Sequence, residues 1–289
     1  MASNMEEMVF NIFNGISYGM ILFLIASGLS LILGVMGILN LAHGSFYLLG
    51  AYIGLTIVPH VGNFWLAMIL AGLVVGVVGI VIERGLLSRL HGQFNEQALL
   101  TLGIVYIASN LFLWIWGPYM KMGTAPSWLA VSITTGALSF PVYRFALMFI
   151  GLVIFAGLWW FQEKTRVGAI VRAGMDDKEM TTGLGINYAL ICSAIFFLGA
   201  FVGGICGFAA APWLGAGHLM AFPILLLALI AVVIGGLGTV QGTLLGAIVV
   251  GLIDSFSKAL IPQFVLFAPY IAFIIILMAK PTGLLGRKQ

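Results

Sequence analysis

No Asp, Glu, Lys or Arg occurs between Glu7 and Glu83, and none occurs between Glu179 and Asp254. A helix rises about 1.5 Å per residue and the hydrocarbon core of a bilayer is roughly 30 Å thick, so each of these runs is long enough for several crossings. Charged residues make up 7% of the chain and the mean hydropathy is +1.17, where a soluble domain carries about 25% charge. A soluble fold could not cover such a surface with polar groups. A membrane β-barrel would alternate apolar and polar residues in segments of roughly ten, and these runs are continuous. The fold class is therefore an all-α polytopic integral membrane protein. The first charges, Glu6 and Glu7, are acidic where a secretory leader is basic, so an uncleaved first span is expected from near Met8.

Apolar runs predict spans at 8–33, 40–59, 63–82, 97–116, 145–162, 188–211, 222–236, 242–257 and 263–279. The pieces 34–44 and 235–242 are rich in glycine and are expected to be re-entrant or broken, which gives eight or nine transmembrane or broken helices. Nine of the twelve basic residues, among them Arg84, Arg89, Arg166, Arg172 and Lys280, fall on one side of this arrangement. That bias places the N-terminus outside and the C-terminus in the cytoplasm. The segment 117–143 holds Pro118, Pro126 and Pro141 and an alternating stretch from Trp128 to Thr134, which reads as an outer loop with a short hairpin. Two in-phase glycine triplets, Gly199, Gly203, Gly207 and Gly238, Gly242, Gly246, predict tight helix seams within the chain. A faint echo links Gly34-Val35-Met36-Gly37 to Gly235-Gly236-Leu237-Gly238, and transporters are often built from repeats with interrupted helices.

Polar groups inside the apolar runs are few. His43 lies beside Asn40, Gly44 and Ser45. Such groups are costly in a membrane unless paired, so His43 is either part of a transport path or an imidazole bonded to a backbone carbonyl at a helix break. Asn110 reads as an interhelical hydrogen-bonding residue. Asp254 and Lys258, four apart, suit a pair along one helix, and His218 sits in an outer segment. Cys192 and Cys206 are 14 positions apart in one predicted helix, about 21 Å, too far for a disulfide. The chain has no Gly-Lys dipeptide and so no phosphate-binding loop, no His-Glu-x-x-His and no Gly-x-Ser-x-Gly. Its excess of basic residues is explained by topology, which leaves nucleic-acid binding without support.

Eight of the 21 charged residues fall between Glu163 and Glu179. Thr165 is placed to cap a short helix running to about Gly174. Asp176 and Glu179 form a capping pattern for a second, which Gly183 and Gly185 end. Two short amphipathic helices joined by a bend are expected on the cytoplasmic face.

In this region the chain resembles LivH-type permeases of the branched-chain amino acid ABC importers. The resemblance is carried by Thr165-Arg166-Val167-Gly168, Arg172-Ala173, Asp177 and Gly185-Ile186-Asn187. Gly28-Leu29-Ser30-Leu31-Ile32-Leu33-Gly34-Val35-Met36-Gly37-Ile38-Leu39-Asn40-Leu41-Ala42-His43-Gly44 is similar to the N-terminal signature of that family. Gly235-Gly236-Leu237-Gly238 to Gly246 is similar to its C-terminal glycine motif, and Lys280-Pro281-Thr282-Gly283-Leu284-Leu285-Gly286 to its tail. Importers of this kind carry Glu-Ala-Ala-x-x-x-Gly in the loop, and here Met180 and Thr181 replace both alanines. The resemblance implies a single permease domain over 1–289 with a coupling loop at 163–187, in a bacterial inner membrane. It implies a second related permease subunit, two cytoplasmic ATP-binding subunits and a periplasmic binding protein as partners. ATP and Mg would be bound by those subunits, with no cofactor and no catalytic residue in this chain. Arg166, Arg172, Asp176, Asp177, Glu179 and Gly185 are the expected ATPase-coupling residues, and Asn40, His43, Gly44 and Ser45 the expected substrate path. The expected cargo is branched-chain amino acids or related small solutes. An ion-coupled secondary transporter is the alternative, but it leaves the charged loop unexplained.

Overall fold

The computed structural model describes residues 2–285 except Ile38, His91, Gly136, Ala137 and Asp177. The side chains of residues 2–4, Thr135, Asp176, Lys178 and Glu179 also lie outside the described set. Within it the elements run α1 (Ala2–Met36), α2 (His43–Val61), α3 (Phe64–Gly85), α4 (Phe94–Trp116), β1 (Ser132–Thr135), β2 (Leu138–Pro141), α5 (Val142–Lys164), α6 (Arg166–Asp176), α7 (Lys178–Gly183), α8 (Tyr188–Leu214), α9 (Ala221–Gly235), α10 (Val240–Leu260) and α11 (Ala268–Ala279). Seven of these helices are long and apolar enough to cross a membrane, and α9 and α11 are shorter apolar helices. All nine predicted apolar segments are thus helical, seven of them long enough to cross, and the two short helices of the loop are present. So is the outer hairpin, with Ser132 opposite Pro141 and Thr135 opposite Leu138.

Local chemistry sets several boundaries. Gly62, at φ +67°, ends α2, and Asn63 then caps α3 by accepting hydrogen bonds from the amides of Trp65 and Leu66 at 2.9 and 3.1 Å. Asn187 does the same for α8 through Leu190 N at 3.1 Å. The outer hairpin packs on the start of α1, where Phe10 and Phe13 meet the Phe140 ring at 5.6 and 5.1 Å. The C-terminal tail instead meets the end of α9 on the opposite face. The start of α1 and the tail at Leu284 and Leu285 therefore lie on opposite faces, and the face bearing Arg84, Arg166, Arg172 and Lys280 is the inner one by its basic residues.

α1 runs through the middle of the fold, packed against α8, α9, α10 and α5, and its residues Ile21, Leu22, Phe23, Leu24 and Ile25 are fully buried. Both predicted glycine seams exist. A Cβ on Gly207 of α8 would lie 1.8 Å from the Tyr47 carbonyl oxygen of α2. One on Gly246 of α10 would lie 2.1 Å from the Ala231 carbonyl of α9. No larger residue fits without moving a helix. The two copies of the sequence echo touch each other, since a Cβ on Gly34 would lie 2.8 Å from Gly238 Cα.

Two non-helical segments reach into the membrane from opposite faces. α1 continues for 11 residues beyond Ile25, about 16 Å. Yet the imidazole of His43, the first residue of α2, bonds to the Ile25 carbonyl at 3.0 Å. Between Met36 and His43 the chain therefore returns from the inner face to roughly the mid-plane, the break expected within 34–44. On the other side, α9 has 15 residues, about 22 Å and too short for a ~30 Å core. Its inner end reaches Gly238 beside Gly34, so its first turn lies inside the membrane. There the Ala221 carbonyl is so close to Gly44 that a Cβ on the glycine would stand 2.0 Å from its oxygen. The dip in this half is thus 215–220, and the break expected at 235–242 is present as a tight inner turn at 236–239 between α9 and α10. Glycine content marks both kinds of break without giving depth.

Asn110 differs from expectation. It is exposed and donates to the Tyr106 carbonyl of its own helix at 2.8 Å, so among the described residues it hydrogen-bonds to no second helix. Asp254 and Lys258 form the expected pair at 2.5 Å. Cys192 and Cys206 are both buried and form no disulfide, as expected.

Candidate functional site

The charged loop folds as a layer stapled to the membrane helices. Thr165 is extended, and its hydroxyl accepts from Gly168 N at 3.0 Å, capping α6, while donating to the Phe161 carbonyl at 2.5 Å. The buried stripe of α6 is Gly168, Val171 and Gly174. A Cβ on Gly168 would meet the Phe161 and Gln162 carbonyls at 2.4 Å each, and one on Gly174 would enter the Tyr188 ring. The need for that close approach explains why α6 passes through Gly174 to Asp176 and does not stop at the glycine. The Tyr188 hydroxyl in turn donates to the Val35 carbonyl at the end of α1 at 2.8 Å.

Of the expected coupling residues, Arg166 is exposed on the outward side of α6. Arg172 folds back: its Nη1 donates to the Gln162 carbonyl, and Glu163 lies 4.0 Å away. It holds α6 to α5. Gly185, at φ +80°, makes the turn after α7, a conformation that costs glycine little. Asp176 and Glu179 stand in α6 and α7 with side chains outside the described set, and Asp177 is not described. Of the two residues that replace the family's alanines, Met180 is 66% exposed and Thr181 only 3%. Only the first therefore faces outward, together with Val167 and Leu184. The outer surface of the loop combines apolar side chains with a cation, above an inner surface locked to α1, α5 and α8.

The expected path residues gather at the mid-plane meeting of α2 and α9, and Asn40, His43 and Ser45 are at most 3% exposed. The Asn40 amide oxygen accepts from Ala42 N at 3.1 Å, shaping the turn into α2. His43 Nε2 faces a carbonyl, which only accepts, so Nε2 carries the hydrogen and Nδ1 of the neutral ring is an acceptor. The imidazole is seated by Gly28 and Gly203, whose added Cβ atoms would lie 2.9 and 3.4 Å from its Cε1. Among the described residues Asn40 Nδ2, His43 Nδ1 and Ser45 Oγ are buried without a hydrogen-bond partner, as are the hydroxyls of Ser30 and Tyr47. Buried polar atoms are nearly always paired, so these unpaired atoms make the start of α2 a candidate place for another polar group.

Several contributors escape sequence reasoning. Thr101 of α4, fully buried, accepts from Leu41 N at 3.2 Å and so holds the re-entrant segment. Glu83, 2% exposed, accepts from the Ser193 hydroxyl at 2.7 Å, and that hydroxyl accepts from Arg84 Nε at 3.2 Å, tying α3 to α8. The buried Gln162 amide donates to the Gly238 carbonyl at 2.9 Å. Only Glu83 and Gln162 carried a signal, as polar residues at the ends of apolar spans. Beneath α6 lies a cavity of about 410 Å³ whose wall includes Val35, Gly37, Gln97, Gly174, Met175 and Tyr188. It borders the start of the re-entrant segment.

Comparison with known proteins bears on the family and the fold. Residues 11–279 match the family model described as a branched-chain amino acid transport system permease component. The chain is 26% identical to the high-affinity branched-chain amino acid transport system permease protein LivH of Salmonella typhimurium, over 96% of this chain and 95% of that one. It is 27% identical to the corresponding permease protein BraD of Pseudomonas aeruginosa, over 96% and 95%. Among solved structures, PsaBC from Streptococcus pneumoniae in complex with a Fab is similar in fold. It has a TM-score of 0.50 and 12% identity over 93% of this chain and 91% of that one.

Proposed function

Because the chain belongs to the family of permease components of branched-chain amino acid transport systems, we propose that it is a membrane subunit of an ATP-driven importer of branched-chain amino acids or related small solutes. It would act in a bacterial inner membrane beside a second related permease subunit, two cytoplasmic ATP-binding subunits and a periplasmic binding protein. ATP and Mg belong to those subunits, and the chain itself performs no chemistry. The observation that carries the reading is the inner layer of α6 and α7. A loop kept only to retain topology needs neither a capped helix nor glycines fitted against α5 and α8. This one has both, and presents Arg166, Val167, Met180 and Leu184 outward.

Alternating access follows from the same parts. The outward face of the loop receives the ATPase subunits, and Arg172, Gly168 and Gly174 pass their movement to α5 and α8. At the mid-plane, Asn40 Nδ2 is a donor suited to a carboxylate oxygen, and His43 Nδ1 is an acceptor suited to an ammonium group. Ser45 can serve either, and the surrounding apolar helices suit an aliphatic side chain. The site is closed in this conformation, so substrate reaches it only when α2 and α9 part. The cavity beneath α6 then provides the way out. Co-purification with the ATP-binding subunits and leucine uptake by the reconstituted assembly test this reading. Uptake that persists without those subunits, driven by an ion gradient, would overturn it in favour of a secondary transporter.

A further inference from the structure

α9 is joined to the coupling layer by contacts that its own sequence does not supply. Its inner end runs into the turn 236–239, and the Gly238 carbonyl accepts the Gln162 amide at 2.9 Å. The same Gln162 receives the Arg172 guanidinium on its backbone carbonyl. One buried residue thus touches α6 through its main chain and the α9 turn through its side chain. Met175 of α6 adds a second link, because its terminal methyl fills the space that a Cβ on Gly238 would enter, 2.9 Å away. The tail clamps the same end: Leu284 N and Leu285 N donate to the Ile234 and Gly235 carbonyls at 2.7 and 2.9 Å. These are carbonyls that a helix end leaves without a partner of its own.

The other end of α9 is the Ala221 carbonyl pressed on Gly44, one residue from His43. From Ile224 to Ile234 the helix has neither glycine nor proline, so it lacks the common points of bending. A rigid rod about 22 Å long therefore has one end in the ATPase-facing layer and the other at the closed mid-plane site. We propose that α9 is the lever that parts α2 from α9 when the ATPase subunits close, and that Gln162 is the positioning residue that engages it. This rests on the importer reading above.

The test uses the complete complex in proteoliposomes, with Leu219→Cys in a Cys192→Ser, Cys206→Ala background carrying a nitroxide label. Leu219 is 72% exposed beside the start of α9. The parent complex is expected to take up leucine with ATP and to change label mobility on nucleotide binding. Gln162→Leu keeps the shape and removes the donor, and Met175→Ala removes the second link. Each is expected to assemble normally and to retain basal ATP hydrolysis. Gln162→Leu should lose the part stimulated by loaded binding protein by about five- to tenfold, the factor that one hydrogen bond of ordinary strength carries, and Met175→Ala should reduce the same part, each together with most of the label response. If the label in Gln162→Leu responds as in the parent, or basal and stimulated hydrolysis fall in proportion, α9 is no lever and Gln162 only holds the fold. If the parent itself fails to couple uptake to ATP, the importer reading fails and takes the lever with it.

Discussion

Replacing Gly44 by alanine tests the mid-plane meeting of α2 and α9. The added Cβ would lie 2.0 Å from the Ala221 carbonyl oxygen, 2.9 Å from its carbon and 3.0 Å from Leu225 Cβ. A carbon–oxygen contact needs about 3.3 Å, so α9 must retreat by about 1.3 Å. The obstacle is backbone, which cannot rotate aside as a side chain would. Overpacking of this kind costs about 1–3 kcal/mol, against about 0.5–1 kcal/mol gained by replacing glycine in a helix. The net loss lies between about 0 and 2.5 kcal/mol, centred near 1 kcal/mol, and it falls on the two helices proposed to close the path. Purified Gly44→Ala should show a lower melting midpoint, and leucine uptake by the reconstituted importer should fall several-fold, about 1.4 kcal/mol being equivalent to tenfold. Gly103→Ala is the control, because no atom lies within 4 Å of its added Cβ, and it should melt no lower than the parent. Unchanged melting and uptake in Gly44→Ala would refute the contact and the depth assigned to both re-entrant segments.

Other expectations follow from single bonds. Thr101→Val leaves the Leu41 amide without its acceptor; a loss of about 1–3 kcal/mol should appear as a lower melting midpoint in detergent. Ser193→Ala strips the buried Glu83 carboxylate of its donor and should destabilise by a similar or larger amount, about 1–3 kcal/mol. Adding Glu83→Gln should recover part of that melting loss by removing the unpaired charge. Leu184→Glu, on an exposed side chain of the loop, should leave melting of the isolated permease unchanged. The same substitution should abolish co-purification of the ATP-binding subunits.

The crossings were legible because charge cannot be hidden in lipid, and a chain with two charge-free runs of this length has few alternatives. The short loop helices were legible for a local reason: Thr165 and Gly185 act on their immediate neighbours. Depth was not legible. The glycines at 37 and 44 and those at 235–238 look alike in sequence, yet one group dips to mid-membrane and the other turns at the inner face. That difference is set by Ile25, Gly34 and Gly44, which belong to other segments. Side-chain direction was equally hidden. Arg172 and Arg166 read as equivalent cations until α5 offered Arg172 the Gln162 carbonyl. Asn110 likewise read as a bridge between helices, although its own helix supplies the carbonyl it uses. Thr101 gave no signal, because a threonine in an apolar span is common and its partner lies 60 residues away.

The most direct test of the account is the sidedness of energy supply. Proteoliposomes holding the assembled complex are given loaded binding protein on the face of the outer hairpin and ATP on the face of Arg166, Met180 and Leu184. Leucine uptake should require ATP on the face of the loop, and should vanish when ATP is confined to the hairpin face or when Leu184→Glu displaces the ATP-binding subunits. Uptake that proceeds under an ion gradient with no ATP on the loop side would contradict it.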